Sequence, residues 1–389
     1  MKLRLGIDKL IAMRFKPLHG AKIGLCTNIS CCDSSLNPTI ATFRKERKVH
    51  LEAVFAPEHG LFGALQDQIK ADSFYEHTAG LAVHSIYKDR LIADGTMRRT
   101  IDVLVIDLQD VGTRYYTFVW SALLLIEQMA RLGKKVIVLD RPNPLNGITI
   151  QGPVLAEQLI SFVGLYPVPV RHGLTIGELC LLVCSEMNID ADLQVIPMTG
   201  WRRQSYYNET GLPWTMPSPN MPCLDTAIVY PGMCLLEGTN ISEGRGTTRP
   251  FELFGAPWIQ PEVLVTSLRK KKISGVQFRP TYYIPTFHKY KHTRCGGVQM
   301  YVTKRAAFNP VIAGLEIIRT IRTLYGRQFS WRKPPYEFEK KRMPFDILIG
   351  NTWVRNAIDK RKTVSWMKAR WQSELRGFRQ RRKHHMLYA

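Results

Sequence analysis

Carboxylates stand directly after apolar runs in this 389-residue chain, where side chains of that type could move protons. Glu58 lies in Ala-Pro-Glu-His-Gly, behind the run LEAVF. Pro57 stiffens the exit from the run and Gly60 permits a tight turn. A carboxyl on so rigid a loop is placed for acid–base work, and Phe55, Leu61 and Phe62 offer the low-polarity surroundings a general acid requires. The same spacing also fits a capping or salt-bridged Glu58 beside a core His59. In Asp-Leu-Gln-Asp (107–110), strand alternation puts Asp107 and Gln109 on one face, with Asp110 entering the loop before Gly112. A second carboxylate, an acceptor for sugar hydroxyls and a magnesium ligand are all open there, as is Asp110 capping the helix that follows.

Two further motifs present polar groups. Two prolines fix Asp-Arg-Pro-Asn-Pro (140–144), which offers Asp140, Arg141 and Asn143. Arginine with asparagine suits hydroxyls or a carboxylate, and a purely structural turn fits equally. Ser-Glu-Gly-Arg-Gly-Thr-Thr (242–248) is rich in backbone donors and adds Glu243 and Arg245, which would make a nest for an anionic group. A phosphate loop of the G-x-x-x-x-G-K-[ST] type is absent, and no G-x-G-x-x-G follows a first strand. There is also no G-x-S-x-G elbow, no C-x-x-C and no zinc-type spacing. What remains is rich in carboxylates, amides, guanidinium groups and aromatics, a composition that suits a carbohydrate.

The elements that must position these groups are short apolar runs separated by helix-length segments. Runs at 22–28, 51–60, 103–116 and 136–144 read as buried parallel strands that break off into polar clusters. In an open parallel sheet the ligand lies at the carboxyl ends of the strands. Asn28, Glu58, His59, Asp107, Gln109, Asp110, Arg114, Asp140, Arg141 and Asn143 are expected at those ends, lining one mouth. Helices are predicted over 39–48 and over 118–132, where Gly133 provides a stop, and another opens with Thr175 and Glu178 as a capping box. LAVHSIY and LQVIPM read as further strands. Five prolines between 211 and 232 disfavour both helix and central strand and are expected to mark the crossing between domains. Beyond it come a Gly-rich loop, strands in VQFRPTYYIP and GVQMYVT, and helices over 310–325 and 363–382. The expected fold class is α/β: a Rossmann-like N-terminal domain (1–226) with a mostly parallel sheet, and a smaller mixed α/β C-terminal domain (227–389) with a basic C-terminal helix.

Composition bounds the rest. At 45% hydrophobic and 22% charged, the chain can bury a sizeable core. No apolar stretch reaches a membrane span. The eight cysteines show no staple pattern and read as reduced, buried thiols. No export signal core is visible at the N-terminus, so the expected compartment is cytoplasmic, with a periplasmic or secreted site open if a leader was removed. Net charge is +22, and residues 327–389 hold 17 Lys/Arg against 5 Asp/Glu, a net of +12. That excess favours an acidic polymer or surface, or is a solvated basic face; no specific nucleic-acid motif accompanies it.

Taken in order, APEHGLFG, TAGLAVHSIY, DVLVIDLQDVGTRYYTF, VLDRPNPLNG, RHGLTIGEL, PWTMPSPNMP and LLEGTNISEGRGTTRPFELFGAPW resemble the exo-β-N-acetylmuramidases (NamZ/YbbC-like proteins) of bacterial cell-wall turnover. The resemblance runs from about Gly6 to the closing HMLY. It implies a cleft between two domains, and release of terminal N-acetylmuramic acid from the non-reducing end of peptidoglycan fragments. Independently of the resemblance, no cofactor or metal is expected. Glu58 then corresponds to the family's catalytic glutamate, with Glu243, then Asp110, favoured as the second carboxylate. His59, Asn28, Gln109, Arg114, Tyr116, Asp140, Arg141, Asn143, Arg171, His172, Asn220 and Arg245 are the substrate-binding candidates. Arg245 or Arg171 would pair with the lactyl carboxylate. The turn Thr27-Asn28-Ile29-Ser30-Cys31-Cys32 departs from the family's usual T-N-x-T-G pattern. Two rival readings are a non-catalytic polyanion- or wall-binding protein and a phosphosugar- or nucleotide-dependent enzyme on the same sheet.

Overall fold

The computed structural model describes residues 2–66, 69, 74–76 (backbone only), 80–86 and 99–389. Thr78, Ala79 and Tyr87 of TAGLAVHSIY lie outside them. The strands are β1 (Lys22–Cys26), β2 (His50–Ala56), β3 (Phe74–Glu76), β4 (Leu81–Ser85), β5 (Val103–Ile106), β6 (Lys135–Leu139), β7 (Gln151–Val154), β8 (Pro169–Arg171), β9 (Leu193–Ile196), β10 (Leu253–Ala256), β11 (Val276–Tyr283) and β12 (Cys295–Val302). The main sheet has the order β3-β4-β2-β1-β5-β6-β9 and is parallel except for the β3–β4 pair at its edge. The chain moves outward from β1 through β2 to β4, then returns to β5 on the other side of β1. This reversal of direction is where an open α/β sheet leaves a crevice.

The apolar runs become strands because both faces are covered, so each can be continuously hydrophobic. Val103–Ile106 is wholly buried. The helix Phe118–Arg131 lays Phe118, Trp120, Leu125 and Met129 into the core, and it ends at Gly133, whose φ of 62° is the left-handed stop. The helix Ile176–Glu186 carries the expected capping box: Glu178 N–H donates to Thr175 Oγ1 at 3.2 Å, and Thr175 N–H donates to Glu178 Oε2 at 3.1 Å.

The second half packs β10-β12-β11 as an antiparallel sheet against the helix Pro261–Arg269, which in turn packs against the helix Pro310–Leu324. Two expectations are corrected here. The Pro-rich stretch ends in a helix, Leu224–Met233, which runs through Pro231. The proline removes the bond its N–H would give to the carbonyl four residues back, and the Tyr115 hydroxyl donates to the Pro231 carbonyl at 2.7 Å. That helix meets Pro310–Leu324 so closely that a Cβ on Gly232 would lie 1.8 Å from the Pro310 carbonyl oxygen. The basic C-terminal helix is two helices, Val364–Arg370 and Gln372–Lys383, separated at the buried Trp371. One apolar cluster runs from Cys26 and Phe55 through Trp120 and Tyr230 to Ile317, Phe345 and Phe378, so it crosses both halves. Seven of the eight thiols are buried and none is bonded to another.

Candidate active site

β2 ends at Ala56 and hands the chain to Pro57 and Glu58. His59 and Gly60 turn it back, both at left-handed φ (73° and 74°). His59 is held in that conformation by a 2.7 Å hydrogen bond between its Nδ1 and the Leu65 carbonyl. Opposite, the loop after β5 brings Tyr115, Tyr116 and Thr117 to the start of the helix Phe118–Arg131. Thr117 Oγ1 donates to Glu58 Oε2 at 2.7 Å.

These two loops form one side of a small cavity with about 40 Å³ of water-accessible space. The Pro-rich segment adds Ser218, Asn220 and Met221, and the helix behind it adds Tyr230. The far wall comes from the second half: Glu237, Arg245, Phe251, Tyr336 and Glu337. Glu237 accepts from Arg245 Nη2 at 2.8 Å and from the Tyr336 hydroxyl at 2.7 Å, so each of its oxygens has a donor. The Arg245 guanidinium also lies 4.9 Å from the centroid of the Phe251 ring. Burial pushes the Tyr116, Tyr230 and Tyr336 hydroxyls well above the usual phenol range, and the Glu237 charge adds to this at Tyr336. All three therefore stay protonated at neutral pH, as neutral donors on an aromatic wall.

Five of the residues chosen from sequence line this cavity: Glu58, His59, Tyr116, Asn220 and Arg245. Asn220 Nδ2 donates to Gln66 Oε1 at 2.6 Å. The other candidates do not line it, which corrects the expectation of a single mouth carrying every polar strand end. All are buried, and most of their polar atoms are held by neighbouring backbone or side-chain groups. Arg141 grips Asp107 with two bonds, Nε to Oδ1 at 2.5 Å and Nη2 to Oδ2 at 2.8 Å. Gln109 Nε2 donates to the Asp110 and Pro142 carbonyls, and Asn143 Nδ2 to that of Leu174. Asn28 Nδ2 donates to the Pro217 carbonyl, and its Oδ1 accepts from Ser30 Oγ at 2.6 Å.

Asp110 does not cap the following helix. Its Oδ2 accepts from Gly112 N–H in its own turn at 2.6 Å and lies 3.7 Å from His172 Nε2. Asp140 accepts from Thr175 Oγ1, Gly177 N–H and the Tyr388 hydroxyl, and burial pushes its carboxyl up to about 6. Arg114 is fully buried and donates to the Val168 and Leu348 carbonyls, joining the two halves of the chain. Arg171 donates to Gln151 Oε1 and the Leu145 carbonyl. Glu243 is buried behind the cavity wall. Burial opposes its charge, but Lys289 Nζ at 2.9 Å and Arg245 hold its carboxyl below the usual carboxylate range.

Sequence reasoning missed Glu237, Thr117, Ser218 and Tyr336. A signal for Glu237 exists: it is the lone acid in the apolar run MCLLEG, where an unpaired carboxylate would not be buried.

Residues 23–225 match the description "Exo-beta-N-acetylmuramidase NamZ, N-terminal", and residues 228–388 match "Exo-beta-N-acetylmuramidase NamZ, C-terminal". The chain belongs to this NamZ family. It is 41% identical over 387 residues to the peptidoglycan beta-N-acetylmuramidase NamZ of Bacillus subtilis (strain 168), covering all of this chain and 92% of that protein. Crystal structures of two DUF1343 family proteins from Bacteroides fragilis NCTC 9343 share the fold. One superposes with a TM-score of 0.89 at 31% identity and the other with 0.76 at 27%, each covering 100% of this chain and 99% of its own.

Proposed function

We propose that this NamZ-family member is a glycoside hydrolase that releases terminal N-acetylmuramic acid from the non-reducing end of peptidoglycan fragments. The observation that carries the reading is one cavity in which Glu58, from the first half of the chain, and Glu237, from the second, share a lining with Arg245 and a wall of tyrosines. Glycosidases of the common type need two carboxylates flanking the scissile bond. Glu58 is assigned as the acid that protonates the leaving glycosidic oxygen, with Thr117 orienting it. Glu237, with its oxygens bound by Arg245 and Tyr336, is assigned as the fixed negative charge facing the oxocarbenium-like transition state. Its position in the lining favours it over Glu243 and Asp110 as the second carboxylate. Arg245, which pairs with Glu237 and lies 3.6 Å from Glu243, is assigned to face the lactyl carboxylate of muramic acid.

The test is incubation with a muramic-acid-terminated disaccharide, following products by mass and the new anomer by NMR. Wild-type protein is expected to release N-acetylmuramic acid, and Glu58→Gln to lower kcat by about 10² or more while melting normally. Full activity of Glu58→Gln would remove Glu58 from the mechanism.

We also propose that the basic C-terminal stretch contacts an acidic polymer. Lys360, Arg361, Lys362, Lys368, Arg370, Arg376 and Arg379 are all exposed. Binding that weakens steeply with salt supports this contact, and salt-independent binding removes it.

A further inference from the structure

A groove with about 130 Å³ of water-accessible space shares Tyr336 and Glu337 with the catalytic cavity and continues along Ser161, Phe162, Phe338 and Arg342. Its construction is specific. Tyr336 and Glu339 exchange two backbone hydrogen bonds of 2.9 Å, which closes a tight turn with Glu337 and Phe338 at its tip. Glu337 holds a left-handed φ of 52°, an uncommon conformation for a side chain of that kind. Arg342 fastens the turn to the opposite bank: its Nε donates to Glu339 Oε2 at 2.6 Å, and its Nη1 and Nη2 donate to the Gln158 and Ile160 carbonyls at 2.7 and 3.0 Å. The two banks are therefore fixed relative to each other.

The chemistry of the groove is that of a sugar site. Phe338 is 45% exposed and packs edge-on against Phe162, with ring centroids 5.6 Å apart at 81°. An exposed aromatic face beside carboxylate and hydroxyl groups matches a pyranose, which has one apolar face and a rim of hydroxyls. A second muramic acid fits less well, because Glu337 and Glu339 would face its carboxylate.

We propose that this groove is the subsite for the sugar on the leaving side of the scissile bond, a neutral N-acetylhexosamine, with Phe338 as its stacking platform and specificity residue. The assignment rests on the glycosidase reading above. It gives a longer strand a route out of the cavity, past Tyr336 and over Phe338.

The experiment compares wild type, Phe338→Ala and Phe338→Tyr by calorimetric titration with N-acetylglucosamine and N-acetylmuramic acid, and by initial rates on the muramic-acid-terminated disaccharide. Phe338→Ala is expected to weaken N-acetylglucosamine binding and raise KM by about tenfold, the loss of roughly one aromatic contact. N-acetylmuramic acid binding is expected to stay within about twofold, because Phe338 is outside that pocket, and Phe338→Tyr is expected to restore KM. N-acetylglucosamine binding equal in wild type and Phe338→Ala overturns the subsite whether or not the enzyme turns over. A wild-type protein that binds neither sugar and cleaves nothing overturns the glycosidase reading, and the subsite with it.

Discussion

The Thr117 hydroxyl donates to Glu58 Oε2 across 2.7 Å, linking the loop after β2 to the loop after β5. These strands flank β1 on either side, so the bond spans the reversal point of the sheet. The carboxyl is thereby oriented by the fold rather than by the substrate.

Thr117→Val keeps the shape and removes that bond. We expect kcat to fall by about tenfold with KM little changed, and melting to shift by no more than a few degrees. Steady-state kinetics on the disaccharide reads this directly. A variant with unchanged kcat shows that the hydroxyl does not orient the acid.

Glu237→Gln replaces the charge that Arg245 and Tyr336 bind. We expect kcat to drop about a hundredfold. Tyr336→Phe, which removes one donor and leaves the charge, is expected to cost less. If the two variants lose activity equally, Glu237 serves to position Tyr336 rather than to stabilise charge.

Arg141→Met leaves Asp107 buried without its two-bond partner. Removing one member of a buried pair costs about 3–5 kcal/mol. Chemical denaturation should show that loss, with kcat of the surviving folded protein close to wild type. Wild-type stability would mean that Thr39, whose hydroxyl donates to Asp107 Oδ2 at 2.5 Å, suffices to hold the charge.

Asp140 makes stability depend on pH. Its folded-state carboxyl is pushed up to about 6, against 3.8 as the ordinary value, chiefly by burial. The folded chain therefore holds a proton that the unfolded chain releases at lower pH. This stabilisation is full below the ordinary value and is lost as pH rises through about 6, amounting to roughly 3 kcal/mol. Urea unfolding at pH 4.5 and 6.5 should show a difference that Asp140→Asn reduces. An identical difference in the variant assigns the pH effect to another group.

The strands and the first helices were legible because their signals are local. Val103–Ile106 is an unbroken β-branched and leucine run, and the Thr175–Glu178 box is contained within four residues. The site was legible only in part. Asp107, Gln109, Arg141 and Asn143 have the residue types of a binding mouth, yet each is used up by a partner between 1 and 34 positions away. Residue type alone cannot separate a group that awaits a ligand from one already satisfied. Glu237 was hidden for the opposite reason. Its chemistry exists only once Tyr336, 99 positions later, is folded against it. Pro231 misled because the helix around it is buried and packs closely on the Pro310–Leu324 helix at Gly232, a tertiary contact that local sequence does not show.

The oily seam joining the two halves has a consequence for how this molecule can be handled. Phe55 and Phe345 belong to the same cluster, and Arg114 ties the first half to the Leu348 carbonyl of the second. Neither half expressed alone would have a finished interior, so each should come out insoluble and inert. Mixing the two would not restore turnover, and a useful circular permutant must keep both pieces in one polypeptide, cut at a surface turn well away from that junction.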